Sequence, residues 1–224
     1  MTDVRELDLS HYDEFIRLTI DAYPGLGMVY ERDKDKIRDR MEERLKTGRV
    51  GYFGAFRGEC LTGVMRVHDY SMNYRSAVIK AGGLGGVAVD LTCKRERIAG
   101  DMIRCYLDMC RAADMPMAVL WPFRPDFYRK IGFGYSGKKY RYSLLPATLP
   151  HTAGKSHVKH VTDADYDAMA RCYRRIFANR HGLLDETAET LKSTVGPANG
   201  GKAIVYRDRS EERRVGKECR SRWA

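Results

Sequence analysis

Gly82-Gly83-Leu84-Gly85-Gly86-Val87-Ala88-Val89-Asp90-Leu91-Thr92-Cys93-Lys94-Arg95-Glu96-Arg97-Ile98-Ala99-Gly100 decides the fold of this chain. Leu84 to Val89 suit a strand. Lys94 to Arg97 form a short basic loop. Ile98 then opens a helix to about residue 113, with Met102, Tyr106, Cys110 and Ala113 along one side as a core stripe. A strand that feeds a helix through such a loop presents backbone N–H groups and positive side chains to a phosphate or diphosphate.

Downstream, Met117 to Trp121 is an apolar run suited to a buried strand, and Pro122 stops it. A short helix over 125–131 starts at Pro125, a favoured first-turn position. Gly132 ends it, and a strand is expected from Tyr135 through Leu144. Upstream, the period is that of strands: Tyr52 to Phe56, a turn at Arg57-Gly58-Glu59, Leu61 to Tyr70, then Val78 to Ala81. Before them come two helices. The first, 9–22, has Ser10 as N-cap with Asp13 three residues on, and an apolar face of Tyr12, Phe15, Ile16 and Ile20. The second, about 32–45, has Ile37, Met41 and Leu45 four apart on an otherwise charged, solvated surface. Helices and strands in this order give an α/β class.

Residues 146–154 read as a linker. Beyond it come a strand at Val158 to Val161, a helix capped by Asp163 with Tyr166, Met169, Tyr173, Ile176 and Phe177 as its apolar positions, and a weaker helix over 185–191. This strand-helix-helix order echoes the start of the chain. The expected organisation is a domain over 1–150, the start of an incomplete second domain over 151–208, and a tail. The tail, 209–224, has no apolar period and resembles the conceptual translation of a sequencing-adaptor fragment; it is read as non-native, with the natural frame continuing past Asp208.

With 224 residues, the chain can bury roughly 70% of its unfolded surface, enough for one substantial core. No apolar run of about 20 residues exists for a membrane span, and the acidic start lacks the apolar core of a signal peptide. The six cysteines form no C-x-x-C pair and match neither a zinc site nor a disulfide framework. A cytoplasmic setting without membrane or metal is the expectation. The net charge of +10 is scattered, and no nucleic-acid-binding motif accompanies it.

The 1–150 region resembles the Gcn5-related N-acetyltransferase superfamily, and within it the enhanced-intracellular-survival acetyltransferases. The likeness rests on the strand, loop and helix above and on Phe127-Tyr128-Arg129-Lys130-Ile131-Gly132-Phe133-Gly134, which looks like the family's Y-x-x-x-G-F/Y segment. It implies an acetyltransferase fold, with a mixed central sheet flanked by helices, followed by the second acetyltransferase-like domain. It implies acetyl-CoA as cosubstrate, its pantetheine along Val87, Ala88 and Val89 and its diphosphate over Lys94, Arg95, Arg97, Ile98, Ala99 and Gly100. Lys94 stands where the family has Gln or Arg, and Arg97 where it has glycine. Tyr128 is the implied general acid to the coenzyme A thiolate.

The implied reaction is direct transfer of acetyl to a primary amine, of a small molecule such as a polyamine or amine-bearing antibiotic, or of a lysine or peptide. A coenzyme A-binding regulatory module without turnover is the alternative, motivated by Arg97. Asp21, Glu31 and His68 are polar candidates for the base, with His68 expected as a strand-end surface residue. In the resembled subfamily the chain's C-terminal carboxylate enters the active site, and homo-oligomerisation of the full-length form stays open.

Overall fold

Alternating burial along the strands builds a sheet with a core on both sides. The computed structural model describes residues 2–137, 143–148, 153–195 and 203–207. Its five-stranded sheet has the order β1-β2-β3-β4-β5, from β1 (Asp3–Glu6), β2 (Val50–Arg57), β3 (Cys60–Tyr74), β4 (Ala77–Val89) and β5 (Met117–Leu120). β1 and β3 run antiparallel to β2, while β5 runs parallel to β4, so the sheet is mixed. The helices are α1 (Tyr12–Ala22), α2 (Tyr30–Lys46), α3 (Ile98–Ala112) and α4 (Pro125–Arg129). Val64 and Ala88 face the side where Phe15 and Ile16 of α1 and Met41 of α2 pack. Met65, Leu84 and Val87 face Ile98, Met102, Ile103 and Tyr106 of α3. Ile16, Met65, Ile98, Met102 and Ile103 are fully buried, each stabilising the packing by about 1.5–3 kcal/mol.

Two segments expected as separate strands, around 78–81 and 84–89, are the single strand β4. The glycines between them give room instead of a break. A Cβ on Gly82 would lie 2.3 Å from Cys110 Sγ on α3, and one on Gly83 would lie 2.2 Å from a Tyr70 ring carbon. The first helical segment opens with a 3-10 turn over Leu9–His11 capped by Asp8, not Ser10, and α1 follows with His11 at its N-cap and no side-chain cap. The Asp8 carboxylate accepts from the Ser10 N–H at 2.9 Å, and Asp13 is ion-paired with Arg38. The strand expected over 135–144 falls partly on 138–142, outside the described residues; 209–224 lies outside them too. No described helix is long and apolar enough to cross a membrane.

The chain divides into two compact units. One comprises Met1–Ser71 and Ile79–Gly134. The other comprises Met72–Val78, the tip of the β3–β4 hairpin, with the described residues of Tyr135–Ala224. In the second unit β6 (Val158–His160) pairs antiparallel with β7 (Ile204–Tyr206), and α5 (Tyr166–Asn179) and α6 (Ala188–Val195) come between them in sequence. Thr162, not Asp163, forms the cap, in a capping box with Asp165. The hairpin tip belongs here because Asn73, 3% exposed, donates its side-chain N–H to the Phe177 and Ala178 carbonyls at 2.6 and 3.1 Å. Its side-chain oxygen accepts from Ser76 N–H at 3.0 Å, across a turn with Arg75 and Ser76 at φ 51° and 70°.

Candidate functional site

β5 pairs with β4 only from Ala81 to Leu84 and ends at Leu120, so β4 runs on from Gly85 to Val89 without β5 beside it. Gly85 and Gly86 would both direct a Cβ toward Arg66 on β3, and Gly86 has φ +58°. Two consecutive residues facing one side mark a β-bulge, and the positive φ explains the glycine. After it, Val87 and Val89 face α3 and Ala88 faces the other side. The Val87 carbonyl accepts a hydrogen bond from the Tyr23 hydroxyl at 2.8 Å.

The basic loop follows a short 3-10 turn at Leu91–Cys93, where Asp90 accepts from the Thr92 N–H at 2.8 Å. Arg95 and Arg97 take φ of 70° and 66°, and Arg97 ends the loop without a side-chain cap on α3. The Ile98, Ala99 and Gly100 N–H groups therefore sit in the uncapped first turn. A Cβ on Gly100 would meet only Arg104, at 3.8 Å. Lys94, Arg95 and Arg97 are exposed, and none is ion-paired with a described residue; Glu96 is paired with Arg57. Three cations without an ion pair among the described residues, first-turn N–H groups and open space fit a diphosphate.

Arg97 sits in the backbone region that favours glycine, at a cost of roughly 1–2 kcal/mol. Arg97→Gly is expected to raise the melting temperature by about 2–4 °C while weakening coenzyme A binding through the lost charge. Thermal unfolding and calorimetric titration check the two opposite signs, and a lower melting temperature would refute the strain.

Tyr128 lies on α4, whose start is Pro125 and whose Asp126 is ion-paired with Arg124 at 2.8 Å. Its ring is buried among Phe127, Phe123 and Phe133, with centroids 5.2, 5.9 and 6.0 Å away. Burial, and then the neighbouring Tyr23, push its pKa up to about 12. The phenol therefore keeps its proton at neutral pH. Tyr23 thus stands at the open edge of β4, bonded to Val87 and felt by Tyr128.

On the α1/α2 face, Arg66 and His68 of β3 stand opposite Tyr52 and Val50 of β2. His68 is half-buried and stacks on Tyr70, with rings 5.3 Å apart at 4°; it is not the surface residue its position implied. Burial, then Arg66 and Arg44, push its pKa down to about 4. Asp21 and Glu31 are exposed, and Glu31 is engaged with Lys34 at 2.9 Å, so His68 is the one base candidate beside this glycine floor. Tyr23, Tyr52, Arg44 and Arg66 were missed in the sequence. One signal was available for Arg66: a charged residue in phase with the inward-facing Leu61-to-Val67 run.

Known proteins share this fold. An uncharacterised N-acetyltransferase of Streptomyces coelicolor is 27% identical over 132 residues, 56% of this chain and 32% of that protein. A GCN5-related N-acetyltransferase from Kribbella flavida superposes with a TM-score of 0.74 at 19% identity, over 93% of this chain and 52% of that one. A predicted acetyltransferase from Clostridium acetobutylicum, solved with acetyl-CoA, has a TM-score of 0.54 at 11% identity over 64% of this chain and 96% of its own. The two structures share the fold. The chain spans about a third of the length of the Streptomyces relative and half that of the Kribbella one. The profile of the acetyltransferase (GNAT) domain matches residues 3–136, more than half of the sequence, and the chain belongs to that family.

Proposed function

We propose that this chain transfers an acetyl group from acetyl-CoA to a primary amine by direct attack on the thioester. GNAT-fold proteins generally transfer acyl groups from acyl-CoA, and the free edge of β4 beside Tyr128 carries the reading for this chain. The backbone of Val87, Ala88 and Val89 holds the pantetheine. Lys94, Arg95 and Arg97, with the N–H groups of Ile98, Ala99 and Gly100, hold the diphosphate. The amine nitrogen bonds to the carbonyl carbon, backbone N–H groups near the bulge polarise the carbonyl, and the carbon–sulfur bond breaks. Sulfur takes the Tyr128 proton, and the amine's surplus proton leaves to water or to a base.

At the finer level, the chain is read as enhanced-intracellular-survival-like, with the opening of a second acetyltransferase-like domain. Support comes from the order of elements. β6, α5, α6 and β7 repeat the sequence β1, α1, α2 and β2, down to the antiparallel pairing of first and last strand.

Coenzyme A titration with an acetyl-transfer assay on a panel of primary amines tests the assignment. Lys94→Ala is expected to weaken coenzyme A binding about three- to tenfold at low salt, with the difference shrinking as salt rises. Unchanged affinity at low salt would remove Lys94 from the diphosphate. Tight binding with no transfer to any amine would favour the regulatory module.

A further inference from the structure

On the α1/α2 side of β4, positive charge gathers with no described carboxylate paired to it. Arg66 is half-buried, and neither it nor Arg44 is ion-paired with a described residue. Its neighbours are Arg44, a second cation, and the phenols of Tyr52, Tyr23 and Tyr70. Desolvation lowers the Arg66 pKa, and no carboxylate acts on His68 beside it. A desolvated guanidinium costs free energy unless an anion meets it. Tyr52 belongs to the same cluster: it is 1% exposed, and the Arg66 and Arg44 charges and an Arg44 hydrogen bond act on its hydroxyl.

The location ties this cluster to the reaction. Gly85 and Gly86 form its floor, at 3.6 and 2.9 Å from Arg66 atoms to where a Cβ would stand. The next residue is Val87, whose carbonyl bonds Tyr23. Tyr23 feels Arg66, and Tyr128 feels Tyr23.

We infer that the amine acceptor carries a carboxylate, held by Arg66 with Arg44, while its amino group reaches the thioester at the β4 bulge. This rests on the transferase reading above and names its substrate class. The guanidinium fork matches a carboxylate in two parallel hydrogen bonds. The same positive field disfavours polycations and keeps the attacking nitrogen neutral, which attack requires.

The test assays the full chain with acetyl-CoA on three series of equal length: ω-amino carboxylates from glycine to 6-aminohexanoate, alkylamines and diamines. The best amino carboxylate is expected to exceed its alkylamine in kcat/KM by about 30-fold or more. Arg66→Gln removes that preference, and Arg66→Lys restores part of it. Equal rates for carboxylates and alkylamines, or a preference for diamines, overturn the inference. So does an equal loss in all three series on Arg66→Gln, which would put the anion on the protein itself. A parallel calorimetric titration uses 5-aminopentanoate against pentylamine, with and without coenzyme A. Binding of the carboxylate alone, lost in Arg66→Gln of unchanged melting temperature, supports the inference even without turnover. Binding of neither compound overturns it. Failure of coenzyme A to bind counts against the transferase reading and leaves the carboxylate arm intact.

Discussion

Tyr128→Phe is expected to lower kcat by about 10²- to 10³-fold while leaving the Kd for acetyl-CoA within about twofold. The substitution removes one oxygen and keeps the ring, which Phe123, Phe127 and Phe133 grip on its edges. The Tyr128 carbonyl accepts from the Phe133 N–H at 3.2 Å, a bond the change does not touch. Tyr128 is 4% exposed, and its hydroxyl makes no hydrogen bond to a described residue, so stability should hold. With a pKa raised to about 12, the group stays protonated, and no alkaline limb below pH 10 should belong to it. Thiol release in steady state, beside a binding titration and thermal unfolding, separates the outcomes. Equal kcat in parent and variant would take the acid role from Tyr128, and a matched rise in Kd would make it a binding residue.

Acidification supplies the second large effect, through His68. Its pKa is about 4 in the fold, against 6.5 when unfolded, because burial and then Arg66 and Arg44 oppose the imidazolium. Between those values the unfolded chain binds a proton that the folded chain refuses. Stability contributed here is complete above pH 6.5 and falls as pH drops toward 4, by roughly 3 kcal/mol in all. Urea unfolding from pH 7 to pH 4 should show that loss in the parent and lack it in His68→Gln. Arg66→Gln should shrink it by removing the second cause of the shift. An NMR titration of the His68 ring gives the value directly, and a midpoint near 6.5 in the folded protein would refute the account.

Elements with a strong period were legible. The α3 stripe of Met102, Tyr106 and Cys110 is core as read, because a 3.6-residue repeat reports burial without knowledge of the partner. Pro122 and Pro125 bounded β5 and α4 for steric reasons that act locally. Glycine misled where its reason was tertiary. Gly82 and Gly83 looked like a break, yet Cys110 and Tyr70 need their space. β7 went unread because three residues, Ile204 to Tyr206, acquire strand character only from β6, more than forty residues away. The basic loop could be placed in the sequence, and its unpaired cations could not, since that depends on every acid nearby. The cluster around Arg66, with no described carboxylate acting on it, has the same origin. Arg44, Tyr52 and Arg66 come from a helix and two strands, and no spacing announces their meeting.

The tip of the β3–β4 hairpin sets a schedule for biosynthesis. Asn73 and Arg75 bond to residues 104, 105 and 106 positions later in the chain. At about 5–20 residues per second, a ribosome needs on the order of 5–20 s to deliver those partners. Met72 and Asn73 must wait that long in water, at the end of two long neighbouring strands. Nascent chains stalled before residue 177 should therefore carry an adhesive, chaperone-binding end that disappears once α5 has emerged.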